Sequence, residues 1–144
     1  MNLLGVFHSY SDPSAALFQD GKIKSFIEEE RLIRVKHAAG LFPIKAVDYV
    51  LKTNGLNIED IDLIIQPWDC NIYENGEMEK FYNDINKMFP TTDADIAYQK
   101  NHLKNLSASN QKNIIYRNLK RMYGDKKFPE VIFMNHHLSH ACMA

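Results

Sequence analysis

Apolar positions run along this chain first at strand spacing, then at helical spacing, and at strand spacing again near the end. Leu3 to Phe7 is a short apolar run, Ala15 to Gln19 a second, and Lys22 to Glu29 a third with partial alternation, which predicts three strands. Asp20-Gly21 joins the last two and predicts a tight hairpin, because a type I′ turn needs positive φ at both central residues. Ser9 to Ser14 is a polar, turn-forming loop between the first two. After a basic connector, Pro43 suits a first helical turn. Ile44, Val47, Val50 and Leu51 then keep a 3.6-residue stripe up to Gly55, a helix stop. Ile61 to Ile65 is continuously apolar and predicts a strand covered on both faces. Residues 77 to 123 are helical in period, with a break at Phe89-Pro90-Thr91-Thr92, apolar positions at Leu106, Ile114, Ile115 and Leu119, and Gly124 as the stop. Val131 to Met134 predicts a last strand that feeds directly into His136 and His137.

An antiparallel start followed by helix-connected strands predicts an α/β fold, a mixed sheet with flanking helices, which is the layout of one ribonuclease-H-like lobe. Residues 75 to 113 are richer in Asn, Lys and Asp than their flanks and read as an insertion. With 144 residues, 45% hydrophobic content and a net charge of −1, the expectation is one globular domain with a real core. No basic cluster exceeds Lys126-Lys127, so nucleic acid is set aside as a partner. No stretch approaches the length of a membrane span and the N-terminus lacks a signal-peptide pattern, so a cytoplasmic location with no membrane partner is expected. Cys70 and Cys142 stand in no metal or disulfide spacing and are read as thiols.

The densest chemistry is Asn135-His136-His137-Leu138-Ser139-His140-Ala141. If a helix starts after the last strand, His136 and His140 share one face and can hold one divalent ion, given further ligands. His137 then points elsewhere and is a candidate contact for a phosphate or carboxylate. A zinc-protease reading fails, because His137 stands where His-Glu-x-x-His needs its Glu. Glu28-Glu29-Glu30-Arg31 reads as a charged strand end in which at least one carboxylate turns inward and pairs with Arg31, Arg34 or Lys36. Arg34, Lys36 and His37 follow in a loop, the kind of cations that meet a phosphate or carbamoyl oxygen. Asp12, in the first turn, is either a turn residue or a carboxylate facing magnesium or phosphate-bound water. Neither a P-loop nor a dinucleotide-binding glycine motif is present.

Taken in order, SDPSAALFQDGKIKSFIEEERLIRVKH, FPIKAVDYVLKTNGL, IDLIIQPWD and MNHHLSHACMA resemble the N-terminal part of the NodU/CmcH-type carbamoyltransferases, which include the tobramycin and cephamycin enzymes. The likeness runs from Leu4 to Ala144, weakest over 75 to 125. It implies one lobe of an actin-like ATPase fold, completed elsewhere by a second lobe and a YrdC-like domain. It implies carbamoyl-adenylate made from carbamoyl phosphate and ATP, with transfer to an acceptor hydroxyl on a sugar, antibiotic or oligosaccharide. By position it makes His136 and His140 ligands of Fe(II) or another divalent metal. Lys36 falls in the carbamoyl-adenylate site with Arg34 and His37 beside it, and Asp12, Lys36 and His137 are the catalytic candidates. One departure stands out: the family reads His-Asp-Ala-Ser-Ala at the first hairpin, and here the His position is Ser11. The chain on its own is expected to be a fragment needing the second lobe in cis or trans and prone to self-association. The other reading is a stand-alone or relic lobe that binds a metal or partner without turnover.

Overall fold

A computed structural model describes residues 1–8 and 12–141, with nothing said of the side chains of 139–141. Ser9, Tyr10, Ser11 and Cys142 therefore lie outside the described residues. The chain divides into two compact units, one formed by Met1–Trp68 with Ile115–Ala144 and the other by Asp69–Ile114.

In the first unit the described strands are β1 (Asn2–Phe7), β2 (Ser14–Gln19), β3 (Lys22–Glu28), β4 (Leu63–Gln66) and β5 (Glu130–Phe133). They form one sheet in the order β3-β2-β1-β4-β5. β2 lies antiparallel between β1 and β3, whereas β1, β4 and β5 are mutually parallel. This mixed order is the predicted ribonuclease-H-like arrangement. The hairpin forms as its residues dictate: Asp20 takes φ 52° and Gly21 φ 76°. Because left-handed backbone disfavours a Cβ, Gly21→Ala is expected to cost about 1 kcal/mol in urea denaturation, with no packing change, since nothing lies within 4 Å of the added atom.

Helix α1 (Glu29–Ile33) is the first departure from the pattern, since β3 ends at Glu28 and the acidic run bends into a helical turn. Helix α2 (Ile44–Thr53) carries the predicted stripe, with Val47, Val50 and Leu51 at most 2% exposed, and packs against β2 and β3. Helix α5 (Ala108–Tyr123) adds Ile115 and Leu119 to the same core as Leu4, Val6, Leu17, Ile64 and Val131, and Gly124 stops it at φ 78°. Helix α6 (His136–Ala141) follows β5 after two residues.

The second unit holds helices α3 (Glu77–Met88) and α4 (Asp93–Leu106), separated at the predicted break. Thr92 and Asp95 form a capping box that starts α4, and Asn86 and Gln99 exchange two amide hydrogen bonds of 2.8 and 2.9 Å between the helices. Cys70 is a buried thiol, pushed up to about 12 by desolvation first and by the Asp69 charge second.

Candidate functional site

The register of the sheet places every candidate residue of the first unit along one edge. β1, β4 and β5 run the same way, so their carboxyl ends, Phe7, Gln66 and Phe133, finish together. Phe7 pairs with Ser14, and Ser14 with Glu28, so β2 begins and β3 ends on that same edge. The carboxyl edge of parallel strands, with its turns and helix starts, is where α/β proteins put ligands.

At the β2–β3 end of this edge, Asp12, Glu30 and His37 converge from three segments. His37 donates from Nδ1 to Asp12 Oδ1 at 2.8 Å, and its backbone N–H donates to Glu30 Oε2 at 2.7 Å. The backbone N–H of Asp12 donates to the His37 carbonyl at 2.9 Å. Asp12, Arg34, His37 and Ala38 all hold positive φ, between 39° and 61°, a conformation each non-glycine residue adopts at a cost. Arg34 is the left-handed C-cap of α1, and Lys36 opens the 3-10 turn Lys36–Ala38. Arg34 and Lys36 are exposed and make no ion pair among the described residues.

The Asp12 carboxylate, through its hydrogen bond and then its charge, raises the His37 pKa above the ordinary histidine value of 6.5. A raised folded-state value means the pair stabilises the fold below the unfolded pKa and loses that contribution as pH rises through the folded one. In Asp12→Asn the His37 titration followed by NMR is expected to move down toward an ordinary histidine; an unmoved midpoint would show that the pair does not form.

Arg31 pairs within the acidic run as expected, 3.3 Å from Glu28 Oε2 and 3.5 Å from Glu30 Oε1, but the most deeply buried carboxylate, Glu29, is not held by a cation among the described residues. It is 3% exposed, and what it meets is the amino end of α2. Its Oε2 accepts from the Ala46 N–H at 2.7 Å and its Oε1 from Lys45 N–H at 3.2 Å. Pro43 precedes α2 and has no capping side chain, so Glu29 supplies the cap from a distance in sequence and its charge faces the positive end of the helix dipole.

At the β5 end, Asn135 Oδ1 accepts from the Leu138 N–H at 3.0 Å and caps α6. The helix puts positions 136 and 140 on one face, as the spacing predicts. His136 Nδ1 lies 3.1 Å from the Pro67 carbonyl, and its ring centroid 4.9 Å from that of Trp68. A carbonyl only accepts, so Nδ1 carries the proton and Nε2 carries the lone pair, the tautomer in which backbone-held histidines ligate metals. In the neutral ring Nε2 can offer a divalent metal one ligand, and a metal held here needs further ones. The side chain of His140 lies outside the described residues, and His137 is exposed.

Between these two places sits His8, just past β1. It is 2% exposed, its ring 5.3 Å from Phe42 at 51°, and desolvation pushes its pKa down to about 4, with Gln66 opposing part of the shift. His8 is therefore neutral at pH 7 and packed inward. Ser11, the position where a family histidine would stand, lies outside the described residues.

Two residues were not legible as neighbours of the candidate residues they meet, Glu30 beside His37 and Trp68 beside His136. Glu30 read as part of a solvated charge run, and the signal that its neighbour Glu29 starts a helix was the following Leu32-Ile33 pair. Trp68 lacked any signal beyond being the only tryptophan.

The described fold is a mixed five-stranded lobe with a cationic turn at one end of its carboxyl edge and a histidine helix at the other. The Carbamoyltransferase N-terminus family matches residues 2–144, and the chain belongs to that family. Nodulation protein NolNO of Sinorhizobium fredii is 31% identical over 134 residues, covering 92% of this chain and 17% of the relative. An uncharacterized protein, sll1178, of Synechocystis is 38% identical over 64 residues, covering 44% of this chain and 10% of the relative. The matched parts are thus less than a fifth of either relative. Among solved structures, YeaZ from Pseudomonas aeruginosa aligns over 94% of this chain and 45% of its own, with 13% identity and a TM-score of 0.38. No helix among the described residues is long and apolar enough to cross a membrane.

Proposed function

We propose that this chain is the N-terminal lobe of an ATP-dependent O-carbamoyltransferase, in which carbamoyl-adenylate formed from carbamoyl phosphate and ATP yields its carbamoyl group to an acceptor hydroxyl. Family membership supports the reaction class. The observation that carries the site is the cationic turn: Arg34 and Lys36 are exposed and without ion pairs among the described residues, and Arg34, like Asp12 and His37 of the neighbouring pair, holds a left-handed backbone. In the proposed step the acceptor oxygen bonds to the carbamoyl carbon, the bond from that carbon to the adenylate oxygen breaks, and the adenylate leaves with the electron pair. Lys36 meets the charge that grows on the carbamoyl oxygen and phosphate, with Arg34 on the phosphate. Asp12, with His37 hydrogen-bonded to it, would take the hydroxyl proton, since a base must come within hydrogen-bond reach of that proton. His136 and His140 would hold Fe(II) or another divalent metal, which when bound polarises a coordinated oxygen. His137, on the exposed side of α6, is the candidate second contact for an anionic group.

The test is transfer of labelled carbamoyl from carbamoyl phosphate, with ATP, to a panel of hydroxylated sugars and aminoglycosides, by the protein together with the remaining domains of a family enzyme. Labelled acceptor is expected, falling at least 100-fold in Lys36→Ala. Metal binding without label in any acceptor would favour the reading as a non-catalytic lobe.

A further inference from the structure

We propose a second divalent-cation site, separate from the histidine helix, formed by Asp12, Glu30 and His37. Each offers one ligand atom, and the three atoms lie within 4.8 Å of one another. Ligands on one ion at about 2.1 Å are about 3.4 Å apart at the tetrahedral angle and at most about 4.2 Å, so closure asks the widest-spaced pair to contract by roughly 0.6 to 1.4 Å. Side-chain rotation of the two carboxylates supplies that much.

The charge and donor types favour a cation. Two carboxylates and a neutral imidazole give a site of −2, which a dication neutralises. One nitrogen with carboxylate oxygens suits zinc or manganese, whereas calcium asks for six to eight oxygens. Two positive groups compete for these atoms. The Arg31 guanidinium stands 3.5 Å from Glu30 Oε1, not the oxygen that accepts from the His37 N–H, and the His37 ring carries a proton that ligation displaces.

The three donors come from the loop before β2, from α1 and from the 3-10 turn, and each is already tied to another: Glu30 to the His37 backbone, His37 to Asp12, and the Asp12 backbone to His37. Binding would therefore order little that is not ordered. Three protein ligands leave coordination positions open, as in metal sites that accept substrate, and the neighbouring cations Arg34 and Lys36 point to an anionic one. The histidine helix is a different place: from the strand spacing, β5 lies four steps of about 4.8 Å from β3 along the same edge.

The experiment is an Mn2+ titration of the whole 144-residue chain followed in amide NMR spectra, because the paramagnetic ion broadens only what lies near it. Saturable, one-to-one broadening of the amides of Asp12, Glu30 and residues 36–38 is expected. It should weaken at least tenfold in Asp12→Asn and in Glu30→Gln, and persist in His136→Ala/His140→Ala. Broadening confined to residues near His136, or unsaturated at millimolar Mn2+, or indifferent to both carboxylate variants, would overturn the proposal. Spectral dispersion reports whether each variant folds, and Asp12→Asn decides the matter if Glu30→Gln does not, since it leaves the Glu30 bond to the His37 backbone in place. The result is independent of carbamoyl chemistry, so its failure leaves the proposed reaction standing.

Discussion

Lowering the pH from 7 to 4.5 is expected to cost the wild-type chain about 2.5 kcal/mol more folding stability than it costs His8→Asn. His8 is 2% exposed and its pKa is pushed down to about 4 from an ordinary 6.5, chiefly by desolvation. Between those two values the unfolded chain binds a proton that the folded chain refuses, so stability rises with pH across that window and is lost as pH falls through it. At 1.36 kcal/mol per pKa unit the full difference is roughly 3 kcal/mol, most of it reached by pH 4.5. Urea denaturation of both proteins at the two pH values measures it. Parallel losses in wild type and variant would show that His8 takes up its proton without leaving its packing against Phe42. The Asp12–His37 pair has the opposite slope, and its exposure keeps it from hiding the effect.

Glu29→Ala is expected to destabilise the chain by about 3 kcal/mol. Truncation removes a carboxylate that accepts from two backbone N–H groups at the start of α2, and leaves the buried Ala46 donor without its partner. Hydrogen bonds to a charged group contribute about 1.5–3 kcal/mol, and an orphaned buried donor costs about 1–3. Glu29→Gln keeps one acceptor oxygen and should lose roughly half as much. Because α2 packs on β2 and β3, the loss should appear as a shifted urea midpoint with an unchanged slope. A loss under 1 kcal/mol for Glu29→Ala would mean that water takes over the cap.

These two residues mark where the sequence stopped being sufficient. The five strands, the α2 stripe, the Asp20-Gly21 turn and the helical start after β5 were legible because each is set by local spacing or by residues that tolerate positive φ. Glu29 to Arg31 was misread as the end of the strand, because alternation and helical period cannot be told apart over so few charged residues. The partner of Glu29 is a helix end sixteen residues away, and no local signal encodes that meeting. At the histidine helix, position 140 follows from the spacing, whereas the His136 tautomer is fixed by the Pro67 carbonyl on another strand's end. Asp12 and His37 were each legible as chemistry-bearing but not as a pair, since twenty-five residues separate them.

In the proposed reaction the Arg34–His37 turn handles an activated carbamoyl group joined to a nucleotide. Titrating the chain with a non-hydrolysable sulfamoyl analogue of carbamoyl-adenylate, with amide shifts read by NMR, tests it most directly. Saturable shifts at Asp12 and residues 34–38, weakened at least tenfold in Lys36→Ala, are the predicted result. Shifts elsewhere only, or an affinity unchanged by Lys36→Ala, would contradict it.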